Sequence, residues 1–85
     1  MPRPFYPHTL GDVIRAVDGG LGLVAADMPD GSLWVLQRRR RRGDYAMTHY
    51  ADTARSSVLQ RQAWSERRAA INAFAKQIQL GEQLP

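Results

Sequence analysis

Five consecutive arginines, Arg38–Arg42, lie near the middle of this 85-residue chain. A domain of this size cannot bury five guanidinium groups, because each would need a partner to replace its lost hydration. The run must therefore reach solvent, and Gly43-Asp44 directly after it are turn residues. We expect the arginines to form the tip of a β-hairpin that extends past the edge of a sheet.

A second turn signal precedes this tip. Residues 21–27 and 32–37 are apolar, partly β-branched runs separated by Met28-Pro29-Asp30-Gly31. Proline at the second turn position and glycine at the fourth suit a type I turn, although a tight two-residue loop at Asp30-Gly31 is an alternative. Both interpretations predict a β-hairpin, whose second strand runs on into the arginines to residue 40.

A third strand is predicted over residues 44–51, after the arginine tip. Strand alternation would put Tyr45, Met47 and His49 on one face, and Ala46, Thr48 and Tyr50 on the other. The three strands then form an antiparallel meander.

Helical periodicity appears before the strands. Leu10, Val13, Ile14 and Val17 recur at i, i+3, i+4 and i+7, which predicts a helix over residues 10–18. Thr9 and Asp12 have capping-box spacing, and Gly19-Gly20 would end the helix. A strand is the competing interpretation, because Val13, Arg15 and Val17 also alternate.

A long C-terminal helix is predicted over residues 58–80. Four apolar residues fall on one side of it: Trp64, Ile71, Phe74 and Ile78. Such a helix would be about 34 Å long, which exceeds what a three-stranded sheet can cover. It therefore either projects from the sheet or breaks near Ser65, whose side chain would cap a second segment starting at Glu66.

The element order is thus α-β-β-β-α, which indicates one small two-layer α+β domain over residues 9–85. Residues 1–8 contain three prolines and are expected to form an extended N-terminal arm. The chain is too short for two independent cores.

Composition excludes several classes of site. The chain has no cysteine, so it has no disulfide, thiolate nucleophile or cysteine metal ligand. His8 and His49 are its only histidines and lack metal-ligand spacing, so we expect neither a metal nor another cofactor. No catalytic set of side chains is recognisable.

The longest apolar runs fall far short of the roughly 20 residues that cross a bilayer, and no signal peptide is apparent. We expect a cytoplasmic protein without a membrane partner and without enzymatic activity.

Charge is distributed unevenly along the chain. Residues 1–37 carry a net charge of −2, whereas residues 38–85 carry +6. Guanidinium groups present planar donor forks that suit phosphate or carboxylate, so we expect a negatively charged partner. The candidate binding residues are Arg38, Arg39, Arg40, Arg41, Arg42, Tyr45, Arg55 and Arg61. Tyr45 and Tyr50 both flank the tip and are candidates for stacking on bases.

Each of these residues also has an ordinary interpretation. The arginine run is equally consistent with a solvated loop in a protein from a GC-rich genome. For Arg55, Arg61, Arg67 and Arg68, a solubilising role on a helix surface is favoured over contact with nucleic acid.

The predicted topology resembles two families of nucleic-acid-binding domain. Three strands followed by a helix resemble the arm-type DNA-binding domains of tyrosine recombinases, which insert a sheet into the major groove. The complete α-β-β-β-α order is similar to double-stranded-RNA-binding domains, although Ser65-Glu66-Arg67-Arg68 stands where that family has a lysine-rich helix start. Both resemblances are of topology and imply contact with nucleic acid.

Two functions follow. The first is a small basic nucleic-acid-binding protein that contacts the phosphate backbone through the arginine tip. The alternative is a phage- or mobile-element-type inhibitor that docks on an acidic surface of a host protein complex without catalysis. A homodimer is a further expectation if Leu59, Ala63 or Leu80 is exposed.

Overall fold

The computed structural model describes residues 7–85. It contains two helices and four strands in the order α-β-β-β-β-α. The elements are α1 (Leu10–Asp18), β1 (Leu23–Asp27), β2 (Leu33–Arg39), β3 (Asp44–Tyr50), β4 (Val58–Trp64) and α2 (Arg67–Gln77). The predicted α+β class is confirmed, with one more strand than expected. The predicted arm at residues 1–8 lies outside the described residues except for Pro7 and His8.

The predicted first helix is confirmed within its predicted limits. The Thr9 side chain accepts a hydrogen bond from the Asp12 backbone N–H, and the Asp12 carboxylate accepts one from the Thr9 N–H, which completes the capping box. Its apolar side packs inward, with Val13 and Val17 fully buried. The alternative prediction of a strand here is therefore wrong.

The four strands form one antiparallel sheet in sequential order. The turn between β1 and β2 is closed by a hydrogen bond from the Gly31 N–H to the Met28 carbonyl, as the type I turn predicts. Between β2 and β3 the last paired residues are Arg39 and Asp44, so residues 40–43 form the tip. Gly43 has φ 69° in this tip, a conformation that favours glycine.

The segment from 58 to 64 corrects the prediction of a single C-terminal helix. Residues Val58–Trp64 pair with β3 as a fourth strand, from Tyr50 opposite Val58 to Tyr45 opposite Trp64. Leucine, glutamine, arginine and alanine favour helix locally, but the unpaired edge of β3 supplies hydrogen bonds that outweigh this propensity. Ser57 therefore caps no helix, and Trp64 lies at the end of a strand.

A boundary does lie near Ser65, but it separates strand β4 from helix α2 and does not interrupt a helix, and the predicted Ser65 cap of a segment from Glu66 is wrong. Glu66 is the N-cap of α2, and no side chain caps this terminus. After α2, Leu80 and Leu84 pack against the core. Asn72 fixes this C-terminal segment through reciprocal hydrogen bonds with the backbone of Leu84.

The core lies between one face of the sheet and both helices. Ile71 and Phe74 of α2 and the C-cap residue Ile78 are buried against it, which confirms that part of the predicted apolar stripe. Trp34 of β2 and His49 of β3 are paired across the sheet and stack with ring centroids 4.0 Å apart. Within residues 7–85, neither helix combines the length and the apolar character needed to cross a membrane.

In the described part of the chain, no helix covers the opposite face of the sheet, which is called the open face here. Cross-strand pairing puts Arg39 beside Asp44, Val35 beside Thr48, and Thr48 beside Arg61 on this side. The functional candidates are distributed between the open face, the helix-covered face and the tip.

Candidate nucleic-acid interface

Arg38 faces the helix layer. Its side chain is partly buried, and its Nη2 donates a 3.2 Å hydrogen bond to the carbonyl oxygen of Gly19 at the end of α1. Gly22 approaches this side chain so closely that an added Cβ would lie 3.3 Å from the Arg38 Nε, and its φ of 61° also favours glycine. A cation at a helix C-terminus is stabilising, so Arg38 has a structural task in the fold.

Arg39, the next residue, faces the open side. It forms a bidentate ion pair with Asp44, in which Nε lies 2.8 Å from Oδ1 and Nη2 lies 2.6 Å from Oδ2. The hydrogen bond from Arg39 lowers the pKa of the Asp44 carboxyl below its ordinary value. Asp44 therefore stays ionised near neutral pH and offsets part of the Arg39 charge.

The remaining three arginines lie in the tip and are exposed. Arg40 donates a hydrogen bond from Nη2 to the carbonyl oxygen of Gly20 at 3.1 Å, which ties the tip to the loop after α1. Arg41 and Arg42 make no hydrogen bond or ion pair with the described residues. The strongest unpaired positive charge of the run thus lies on Arg41 and Arg42.

A groove of about 230 Å³ crosses the open face over all four strands. Its lining residues are Leu23, Val35, Gln37, Arg39, Ala46, Thr48, Tyr50, Arg55 and Arg61. Three of them are arginines and none is a carboxylate. Its lining residues on β3 run from Ala46 to Tyr50, so the groove extends about 13 Å along that strand.

Arg61 and Arg55 reach this groove by different routes. Arg61 is on β4 opposite Thr48, and its Nε donates a 3.3 Å hydrogen bond to the Thr48 Oγ1. Arg55 belongs to the loop between β3 and β4, and its guanidinium carbon lies 6.0 Å from the centroid of the Tyr50 ring. Had residues 58–64 been helical, Arg61 would not lie beside Thr48.

The two candidate tyrosines lie on opposite faces, as strand alternation predicts. Tyr45 packs against the helix-side core and also borders a recess at the tip with Arg38, Arg39, Arg40 and Gly43. Tyr50 lies in the open-face groove. The sequence indicates Tyr50 only as a candidate for stacking, and it does not indicate Gln37 or Thr48 as binding residues. Alternation along β3 already put Tyr50 and Thr48 on one face. Arg61 lies near them only because β4 pairs with β3, which the sequence did not predict.

Arg67 and Arg68 lie away from this groove, on α2. Arg67 forms a bidentate ion pair with Asp18 of α1, with Nη2 2.6 Å from Oδ2, and this pairing lowers the pKa of the Asp18 carboxyl. Arg68 donates a hydrogen bond to the carbonyl oxygen of Pro85. Both side chains join parts of the helix layer to each other.

In the part of the chain that the structure describes, no three His, Asp or Glu side chains cluster closely enough to hold a metal ion. Compared with known proteins, the chain matches no protein-family model, no curated protein and no solved structure.

Proposed function

We propose that this protein binds nucleic acid without catalysis, through the open-face groove and the arginine tip. The observation that carries this proposal is a groove that holds Arg55 and Arg61 beside Tyr50 and Arg39 farther toward the tip, and whose described lining includes no carboxylate. Guanidinium groups bind phosphate oxygens through paired N–H donors, and an aromatic ring offers a surface for a base.

The tip extends this positive surface beyond the sheet. Arg41 and Arg42 are exposed and form no ion pair within residues 7–85, although Arg42 lies near enough to Asp44 to contribute to the lowered pKa of that carboxyl. Long arginine side chains at such a tip reach phosphates with little change to the fold, because no core contact depends on them. Arg38 and Arg40 support the tip from the helix side through their bonds to Gly19 and Gly20.

Acidic groups in the helix layer are locally neutralised or distant from the groove. Asp12 pairs with Arg15, and Asp18 pairs with Arg67. The open face also holds Asp44 beside Arg39 and Asp27 of β1 opposite Leu33, so the excess positive charge of this side of the molecule comes mainly from the tip. Binding should therefore depend strongly on salt, because each phosphate contact releases condensed counterions. We place this activity in the cytoplasm, since the chain lacks cysteine.

A second candidate function has one specific observation in its favour. On the edge strand β4, Val58 and Leu59 are exposed to 51% and 59%. An unpaired strand edge with apolar side chains can accept a strand from another protein. The alternative is thus a phage- or mobile-element-type inhibitor that docks on a host protein, with the arginines facing an acidic surface.

The test is binding to random-sequence duplex and single-stranded DNA over a range of salt concentrations. On the proposal, R41Q/R42Q reduces the magnitude of the slope of log affinity against log salt by about two contacts, at roughly 0.9 each on duplex or 0.7 on a single strand. R15Q/R68Q removes the same charge from the helix layer and serves as the matched control. If the wild-type protein binds neither DNA nor RNA at low salt, the nucleic-acid function is wrong and the docking alternative remains.

A further inference from the structure

The open-face groove contains one aromatic side chain with a cation beside it. The guanidinium carbon of Arg55 lies 6.0 Å from the centroid of the Tyr50 ring, which is the outer limit of a cation–π contact. The other aromatic side chains of β2, β3 and β4 are Trp34, Tyr45, His49 and Trp64. They alternate onto the helix-covered face, so the strands give the open face Tyr50 alone.

The loop around Arg55 is built to present that side chain. Arg55 has φ 60°, a left-handed conformation that is unfavourable for a residue with a Cβ. Asp52 fixes the loop by accepting hydrogen bonds from the Ser56 backbone N–H and the Ser56 hydroxyl, at 3.3 and 2.7 Å. The Asp52 carbonyl oxygen accepts another from the Arg55 N–H at 3.2 Å. Strained backbone of this kind persists where surrounding contacts hold it, and it is concentrated at binding sites.

The rest of the groove supplies polar partners beside this ring. Arg61 leans against Thr48, which is buried, and Gln37 is exposed on the neighbouring strand. Arg39 lies toward the tip end of the same groove. A planar group against Tyr50 would therefore have guanidinium donors on two sides of it.

We propose that the open-face groove binds single-stranded nucleic acid. One base would lie against the Tyr50 ring beside Arg55, and Arg61 and Arg39 would bind the adjacent phosphates. This inference rests on the proposed nucleic-acid function and specifies its substrate class. In a duplex, the faces of the bases are covered by their neighbours, so a ring in a shallow groove cannot reach them. An unpaired strand exposes those faces, and stacking on them tolerates any sequence.

Charge complementarity selects this occupant over an apolar peptide. The groove is lined by three arginines, and among residues 7–85 the only carboxylate paired with any of them is Asp44, at Arg39. Its length of about 13 Å along β3 accommodates about two nucleotides of an extended strand. The sequence preference should be weak, because all bases can stack on a single aromatic ring.

The experiment compares three probes against the full chain: an oligothymidine dodecamer, the same dodecamer with abasic sites at its central positions, and a duplex of equal length. We expect the abasic probe to bind at least about fivefold more weakly than oligothymidine, since stacking contributes about 1 kcal/mol or more per base. Y50L should remove this difference, whereas Y50F, which keeps the ring, should retain it. In NMR spectra, oligothymidine should shift the Tyr50 ring protons upfield, and the abasic probe should not.

The outcomes distinguish the proposed base-binding site from the proposed nucleic-acid binding on which it rests. Equal affinity for the abasic probe and oligothymidine, with duplex bound as tightly, would overturn the base-binding site and leave phosphate binding intact. No binding to any probe at low salt would overturn both. If Y50L fails to fold in a thermal melt, the abasic comparison and the NMR shifts of the wild-type protein still decide the question.

Discussion

The guanidinium of Arg39 and the carboxylate of Asp44 form a bidentate ion pair at the last register position of the β2–β3 hairpin. The pair closes the hairpin and marks the point beyond which the arginine run is free of the sheet. It also holds an anion directly beside the proposed binding groove. Asp44 therefore stabilises the hairpin and at the same time weakens the attraction of that groove for phosphate.

Removal of Asp44 should separate these two effects. D44A should lower stability only slightly, because solvent screens the pair, and should increase affinity for nucleic acid with a steeper salt slope. D18A is the matched control, since it frees Arg67 on the helix layer and adds the same charge. Salt-dependent binding and chemical denaturation check both. An equal rise in affinity for D18A would mean that net charge, and not the open face, governs binding.

Backbone strain at Arg55 predicts opposite effects on stability and binding. R55G should raise the free energy of unfolding by up to about 1 kcal/mol, because glycine accepts a φ of 60° without cost to a Cβ. The same change should weaken nucleic-acid binding, because the groove loses a guanidinium. Gln79 has a φ of 61° outside the groove, so Q79G should raise stability and leave affinity unchanged. Urea denaturation measures the change in stability, and titration with oligothymidine measures the change in affinity.

Arg38 and Arg42 should differ although both belong to the arginine run. R38Q should destabilise the fold by about 1–2 kcal/mol, because it removes the donor to the Gly19 carbonyl and the cation at the end of α1. R42Q should leave stability within about 0.5 kcal/mol of the wild type, as is usual for an exposed side chain. Thermal melts of the two variants provide the test, and equal melting temperatures would contradict the structural role of Arg38.

Phe74 is fully buried between α2 and the sheet. F74A should cost about 3–5 kcal/mol, from lost burial and the cavity that remains. L59A provides the comparison, since Leu59 is 59% exposed on the edge strand and should cost less than about 1 kcal/mol. A loss below 1 kcal/mol for F74A in chemical denaturation would be inconsistent with this core.

Stability should fall in acid. The pKa of Asp18 is lowered by the hydrogen bond from Arg67, that of Asp44 by Arg39, and that of Asp52 by the Ser56 hydroxyl. Because each carboxylate is favoured in the folded state, its contribution is complete above the unfolded pKa of about 3.9 and disappears as the pH falls through the lowered folded value. Denaturation midpoints should therefore be nearly constant from pH 7 to about 5 and decline below about 4. A midpoint that rises on acidification would contradict these assignments.

Local chemistry in the sequence was sufficient for the first half of the fold. Thr9 and Asp12 specify the start of α1, and Pro29 with Gly31 specifies the first turn, since their preferred dihedral angles and hydrogen bonds involve only near neighbours. The solvation requirement of Arg38–Arg42 likewise indicated a second turn, but Arg38 and Arg39 remain paired in β2 and only residues 40–43 form the tip. Strand alternation also predicted that Tyr45 and Tyr50 would lie on opposite faces, because this alternation is a property of the backbone.

Only the tertiary structure decided residues 58–64 and the membership of the groove. Their side chains favour helix, and the hydrogen bonds that make them a strand come from β3, a partner that no local pattern specifies. Arg61 reaches Thr48 only through this pairing, and Arg55 reaches Tyr50 only through the loop that Asp52 holds. The sequence thus determined that arginines would be exposed, whereas nonlocal strand pairing determined which of them share one surface.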